Sequence, residues 1–139
     1  MITATLKDYQ LKGLEFFVWL VENGMNGILG DEMGLGKTLQ TLSLLSWMKE
    51  SGGKPGPYLV VCPLSVLSSW ENEIKRWTPT MTYIRFHGPI NERNNIKRRC
   101  LKEKFDIYVT TFEQLVAEAS WFNKGRGWRC VVLDEGERI

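Results

Sequence analysis

Ile28-Leu29-Gly30-Asp31-Glu32-Met33-Gly34-Leu35-Gly36-Lys37-Thr38 runs from a short apolar stretch through a glycine turn into Lys-Thr, a pattern built to hold phosphates. Gly34 and Gly36 lack Cβ, so the loop can curl with its N–H groups pointing inward around an anion. The helix expected next adds its own N-terminal N–H groups and dipole. Lys37 would reach the β- and γ-phosphates, and the Thr38 hydroxyl sits where Mg²⁺ needs an oxygen ligand. The pattern G-x-x-x-x-G-K-[ST] is incomplete, because Asp31 stands where its first glycine belongs and Gly30 precedes it. The competing reading is a glycine turn before an ordinary amphipathic helix with one exposed lysine. Context favours phosphates: Ile28 and Leu29 lead in as a strand, and Leu39, Leu42, Leu45 and Met48 recur afterwards at helical spacing.

Outward from this loop, helices alternate with strands and no internal repeat is visible. Leu14, Phe17, Val18 and Val21 place a helix over residues 8–22, ended by Asn23-Gly24. Residues 27–30 form the first strand, and the next helix runs to about Glu50 before the loop 51–57. Tyr58-Leu59-Val60-Val61-Cys62 is continuously apolar, as a strand buried on both faces of a parallel sheet must be. After Pro63, Leu67, Trp70, Ile74 and Trp77 make a helical stripe, with Ser65 or Ser68 as N-cap and Ser68/Glu71 spaced as a capping box. Strands are expected over 82–86 and 107–110, with a basic helix over 89–104 between them and a helix over 112–119 after them. Cys130-Val131-Val132-Leu133 is the last strand and delivers Asp134 and Glu135 at its carboxyl end. This alternation predicts an α/β fold with a parallel sheet, whose ligands bind at the carboxyl ends of the strands. The loop after Gly30 and the acidic pair after Leu133 both fall at that edge.

Composition is that of an ordinary globular domain: 139 residues, 43% hydrophobic and 24% charged, with no apolar run long enough for a membrane span and no signal-peptide pattern. Cys62, Cys100 and Cys130 are too widely spaced for a zinc site and read as buried free thiols of a reducing compartment. The net charge of +2 does not argue for nucleic acid. Between Arg85 and Lys104, however, seven basic residues face two acidic ones, as either a solvated helix face or a phosphate-backbone contact. His87 is the single histidine and is expected at a strand end without a catalytic task. The six tryptophans are expected mainly in the core.

An apolar strand ending in Asp-Glu supplies the second half of an NTP hydrolase. Asp134 can hold Mg²⁺, and Glu135 can orient and deprotonate the attacking water. Alone, the pair would read as a surface turn; with Lys37 and Thr38 it reads as catalysis.

The segment from Asp31 to Thr38 resembles the phosphate loop of the Swi/Snf-type chromatin-remodelling ATPases, helicase-like motors of superfamily two, in which Asp at the first position is usual. Leu6-Lys7-Asp8-Tyr9-Gln10 with Gly13 is similar to the family's adenine-recognition segment, which implies that Gln10 bonds the base. Val61-Cys62-Pro63-Leu64-Ser65 with Trp70 and Glu73, and Val109-Thr110-Thr111-Phe112-Glu113, resemble two further motifs. The resemblance implies DNA-backbone contacts for Ser65, Ser68, Thr110 and Thr111, for which helix capping is the alternative. It covers nearly the whole chain, and the wording is closest to the imitation-switch type.

The resemblance implies part of a RecA-like, P-loop NTPase lobe, incomplete at its C-terminus and without the second lobe. Asp31 to Thr38 would bind ATP with Mg²⁺, and Lys37 and Glu135 would carry the chemistry. The implied partners are double-stranded DNA, nucleosomes and remodeller subunits, in the nucleus and with no membrane. Two departures bear on this. The acidic box reads Asp134-Glu135-Gly136-Glu137, with Glu137 where the family has histidine. In addition, the strand that the family places between the phosphate-loop and acidic-box strands would lie beyond Ile139, leaving two strands with unpaired edges. Negligible ATP hydrolysis is therefore expected of the isolated chain. A phosphotransferase and a non-catalytic nucleotide-binding or interaction piece are the alternatives.

Overall fold

The computed structural model describes the backbone of residues 26–30 and 35–134 and the side chains of residues 38–134. The expected helix over residues 8–22 lies outside the described residues. Strand β1 (Asn26–Gly30) leads to helix α1 (Leu35–Glu50), β2 (Tyr58–Cys62), a 3-10 turn (Leu64–Val66) and α2 (Leu67–Trp77). Then come β3 (Tyr83–Phe86), α3 (Ile90–Lys102), β4 (Ile107–Thr111), α4 (Phe112–Ala117), α5 (Ala119–Asn123) and β5 (Cys130–Asp134). The described strands form one all-parallel sheet in the order β1-β5-β2-β4-β3.

Strand period two divides the core into two layers. Tyr58, Val60, Cys62, Ile107, Val109, Cys130 and Val132 point to one face, where Leu42, Leu45 and Met48 of α1 and Leu67, Trp70 and Ile74 of α2 cover them. Leu59, Val61, Tyr108, Val131 and Leu133 point to the other, under Ile96 of α3, Phe112 and Leu115 of α4 and Phe122 of α5. Every residue of β2, β4 and β5 is buried, which is why Tyr58–Cys62 and Cys130–Leu133 read as unbroken apolar runs rather than as alternation.

Strand β1 pairs directly with β5, from Asn26↔Cys130 to Gly30↔Asp134. This differs from the arrangement implied by the resemblance, in which a third strand separates the two. Backbone N–H and C=O groups inside a sheet must be paired. The facing edges of β1 and β5 satisfy one another across all five residues of each.

Other expectations need correction. Neither Ser65 nor Ser68 caps α2. Its N-cap position is Val66, with no side-chain cap bond, because the 3-10 turn from Leu64 runs straight into the helix. Glu71, expected to complete a capping box, instead pairs with Arg85 at 2.8 Å. The helix over 112–119 is two pieces: Glu118 leaves helical geometry (φ −118°, ψ 31°) and turns a buried carboxylate onto α3. Trp47 and Trp77 are exposed, the latter bonded to Glu73 and lying under Arg76. Trp70 and Trp128 do enter the core. His87 follows β3 and is half-buried. The next residue, Gly88 (φ +146°), makes the turn into α3, where a Cβ would run into the Glu92 side chain.

Candidate functional site

The register of the first and last strands sets the geometry of the site. Gly30, the last residue of β1, lies opposite Asp134, the last residue of β5. The loop that leaves Gly30 and the acidic pair that begins at Asp134 therefore start level with one another, at the carboxyl edge of the sheet. Thr38 is in the first turns of α1 and is buried. The backbone of Leu35, Gly36 and Lys37 forms the start of that helix, so α1 begins inside the Asp31–Thr38 segment. Gln10, Asp31, Glu32, Met33, Gly34, Glu135 and Glu137 lie outside the described residues, as does the side chain of Lys37.

Asp134 shares its side of the sheet with Cys130 and Val132, the side covered by α1 and α2. There the indole Nε1 of Trp70 donates a 2.8 Å hydrogen bond to Asp134 Oδ2, and each residue is 2% exposed. Sequence reasoning placed Trp70 on the core stripe and missed this bond. The available signal was chemical: a buried indole N–H demands an acceptor. Cys62, at the end of neighbouring β2, is buried too; loss of water and then the Asp134 carboxylate push its thiol pKa far up, so it stays neutral.

The donor set suits a hard cation. A buried carboxylate at Asp134 and a hydroxyl at Thr38 offer oxygen. Mg²⁺ is commonly held by one or two protein oxygens, with nucleotide phosphates and water completing its shell. Among the described residues there is no group of three or more His, Cys, Asp or Glu able to hold a metal without such help.

The residues that the resemblance assigned to DNA divide into two pairs. Ser65 and Ser68 are exposed, just beyond the carboxyl end of β2. Thr110 is fully buried and donates to the Phe86 carbonyl at 2.8 Å. Thr111 is the N-cap of α4, its Oγ1 accepting from the Gln114 N–H at 3.2 Å, which is the capping alternative. Much of the local basic excess is neutralised: Arg85 by Glu71, Arg93 and Lys97 by Glu118, and Arg99 by Glu103. A cavity of about 500 Å³ opens at the opposite, amino edge of the sheet, beside Pro57, Phe105, Arg126 and Trp128. It contains none of the residues expected to bind nucleotide.

A parallel sheet in which the strand before a glycine-rich segment ends level with a buried acid, at the carboxyl edge, defines the class of P-loop nucleotide-binding folds. Residues 9–139 match the family of the SNF2-related domain, and the chain belongs to that family. It is 46% identical over 139 residues to the transcription regulatory protein SNF2 of Saccharomyces cerevisiae, covering all of this chain and 8% of that protein. It is 48% identical to the ISWI chromatin-remodeling complex ATPase CHR17 of Arabidopsis thaliana, covering 99% of this chain and 13% of that one. Among solved structures, the SWI2/SNF2 ATPase core of Sulfolobus solfataricus in complex with dsDNA superposes with a TM-score of 0.57 at 30% identity, over 99% of this chain and 33% of that one. The same organism's SWI2/SNF2 ATPase core domain gives 0.54 at 34% identity, over 96% and 26%. The chain thus spans about a tenth of the length of these curated relatives.

Proposed function

We propose that this chain is the ATP-binding part of an ATP-dependent double-stranded-DNA translocase that remodels chromatin. The observation that carries the proposal is the Gly30↔Asp134 register, which starts the phosphate loop and the acidic pair level with one another. Residues 31–38 cradle the phosphates, Lys37 binds the transferring group, and Gln10 bonds adenine. Thr38 and Asp134 hold Mg²⁺, which neutralises phosphate charge when bound, and Glu135 positions the attacking water. Ser65 and Ser68, both exposed, contact the DNA backbone, while Thr110 and Thr111 hold the fold together. The solved relative in complex with dsDNA and the relatives named as chromatin-remodelling complex ATPases support this reading of the partners. Nucleosomes, further remodeller subunits and the nucleus belong to the same proposal.

Turnover by this chain alone is expected to be negligible. In the family a second lobe brings the arginines that stabilise the transferring phosphate, and arginine fingers of that kind contribute about 10³ to 10⁵ in rate. Binding is therefore the test. Thermal unfolding is followed with and without Mg·ATP, in the parent and in Lys37→Ala. A nucleotide that binds only the native state raises the midpoint, so the parent should rise and the variant should not. A parent indifferent to Mg·ATP would defeat the proposal.

A further inference from the structure

We infer that Trp70 is a positioning residue for the metal-binding carboxylate, fixing through one hydrogen bond the orientation in which Asp134 meets Mg²⁺. The inference rests on the nucleotide-binding reading above and extends it to a residue outside the phosphate loop and the acidic box.

The geometry is specific. Trp70 Nε1 lies 2.8 Å from Asp134 Oδ2 in a buried contact. The indole is held by its place on α2, between fully buried Leu67 and Ile74, so the donor cannot swing away without disturbing the core. An indole N–H donates and cannot accept, and it carries no charge. It therefore pins one carboxylate oxygen without bringing a positive charge that would neutralise the carboxylate. A lysine or arginine in its place would compete with the metal for that charge. Trp128, the other core indole with such a bond, is satisfied by a backbone carbonyl: its Nε1 donates to the Phe122 carbonyl at 2.7 Å. Trp70, in the opposite layer, instead reaches the buried acid at the carboxyl end of β5. Partners that orient a ligating carboxylate commonly contribute about 10- to 100-fold to metal affinity.

The test measures metal binding rather than turnover. Mn²⁺ is titrated into the chain at saturating ADP and followed by electron paramagnetic resonance, in the parent and in Trp70→Phe, which keeps a ring and loses the donor. The expected result is Mn²⁺ affinity about tenfold weaker in the variant, with ADP affinity in the absence of metal unchanged. Equal Mn²⁺ affinities would overturn the inference and leave the nucleotide reading intact. A parent that binds neither ADP nor Mn²⁺ would overturn both. Should Trp70→Phe fail to fold, the unaltered chain serves. Its assigned indole N–H resonances are recorded with ADP and substoichiometric Mn²⁺. Trp70 should broaden and Trp128 should persist; a sharp Trp70 signal in the metal-loaded complex would overturn the inference.

Discussion

Lys97 Nζ on α3 lies 2.6 Å from Glu118 Oε1, at the break between α4 and α5. Arg93 Nη1 approaches the other oxygen of the same carboxylate at 3.2 Å, and Glu118 is 8% exposed. One buried acid thus fastens α3 to the last helices before β5. Removing one partner of a buried ionic group leaves the others uncompensated. Glu118→Ala is expected to destabilise the chain by about 3 kcal/mol, read as a lower urea midpoint at an unchanged m-value. Glu118→Gln should cost less. A loss within experimental error for Glu118→Ala would mean that the two cations find other partners.

Thr110 and Ser65 make opposite predictions about DNA. The Thr110 hydroxyl is buried and bonded to Phe86, so Thr110→Val should cost about 1 kcal/mol of stability and leave duplex binding unchanged. Ser65 is exposed, so Ser65→Ala should keep its stability and weaken binding evenly across duplex sequences. Fluorescence anisotropy with a labelled duplex in a two-lobed protein distinguishes them. Weaker binding by Thr110→Val at unchanged stability would reverse the assignment.

In the proposed site Thr38 is a ligand of Mg²⁺, so the increment in melting temperature given by Mg·ADP over ADP alone should vanish in Thr38→Ala and survive in Thr38→Ser. Calorimetric scans with and without EDTA provide the comparison. A full Mg²⁺ increment in Thr38→Ala would remove Thr38 from the metal's shell.

Alkaline pH should unfold the chain through its buried thiols. Burial raises the pKa of Cys130 from 9.0 to about 11, and burial followed by the Asp134 carboxylate raises that of Cys62 further. A thiol whose folded pKa is raised ionises first in the unfolded chain, so its stabilising contribution is complete below about pH 9 and is lost as pH climbs toward the folded value. Each such group removes up to about 1.4 kcal/mol per pH unit in that window. Urea midpoints should fall between pH 9 and 11, and Cys130→Ala should flatten the decline. A midpoint constant over that range would mean that both thiols ionise equally easily in the folded and unfolded states.

The sequence was most legible where a local rule and the tertiary demand coincide. Tyr58–Cys62 and Cys130–Leu133 read as strands because burial on both faces leaves no polar position to break the run. The α1 stripe of Leu42, Leu45 and Met48 reads as a helix because one face meets the sheet. The break at Glu118 was hidden, since the partners that its carboxylate meets there, Arg93 and Lys97, sit on another helix. The missing serine cap was hidden by the 3-10 turn, which begins the helical path before Ser65. Trp77 satisfies the periodic stripe but lies at the last residue of α2, where the helix has run past its cover. The edge on which the site lies followed from topology alone. The Trp70–Asp134 bond did not, because it joins residues 64 positions apart.

Among the described strands, the earliest made has a neighbour only in the latest: Asn26 must wait for Cys130. A ribosome adding about 5–20 residues each second takes roughly 5 to 20 seconds to cover that interval. Through this time β2, β4 and β3 can assemble among themselves, while the strand leading to the phosphate loop has no edge to join. The β1–β5 edge of a newborn chain is thus the last of the described sheet to come into existence. During synthesis, the described strand that waits longest for a hydrogen-bonded neighbour is β1.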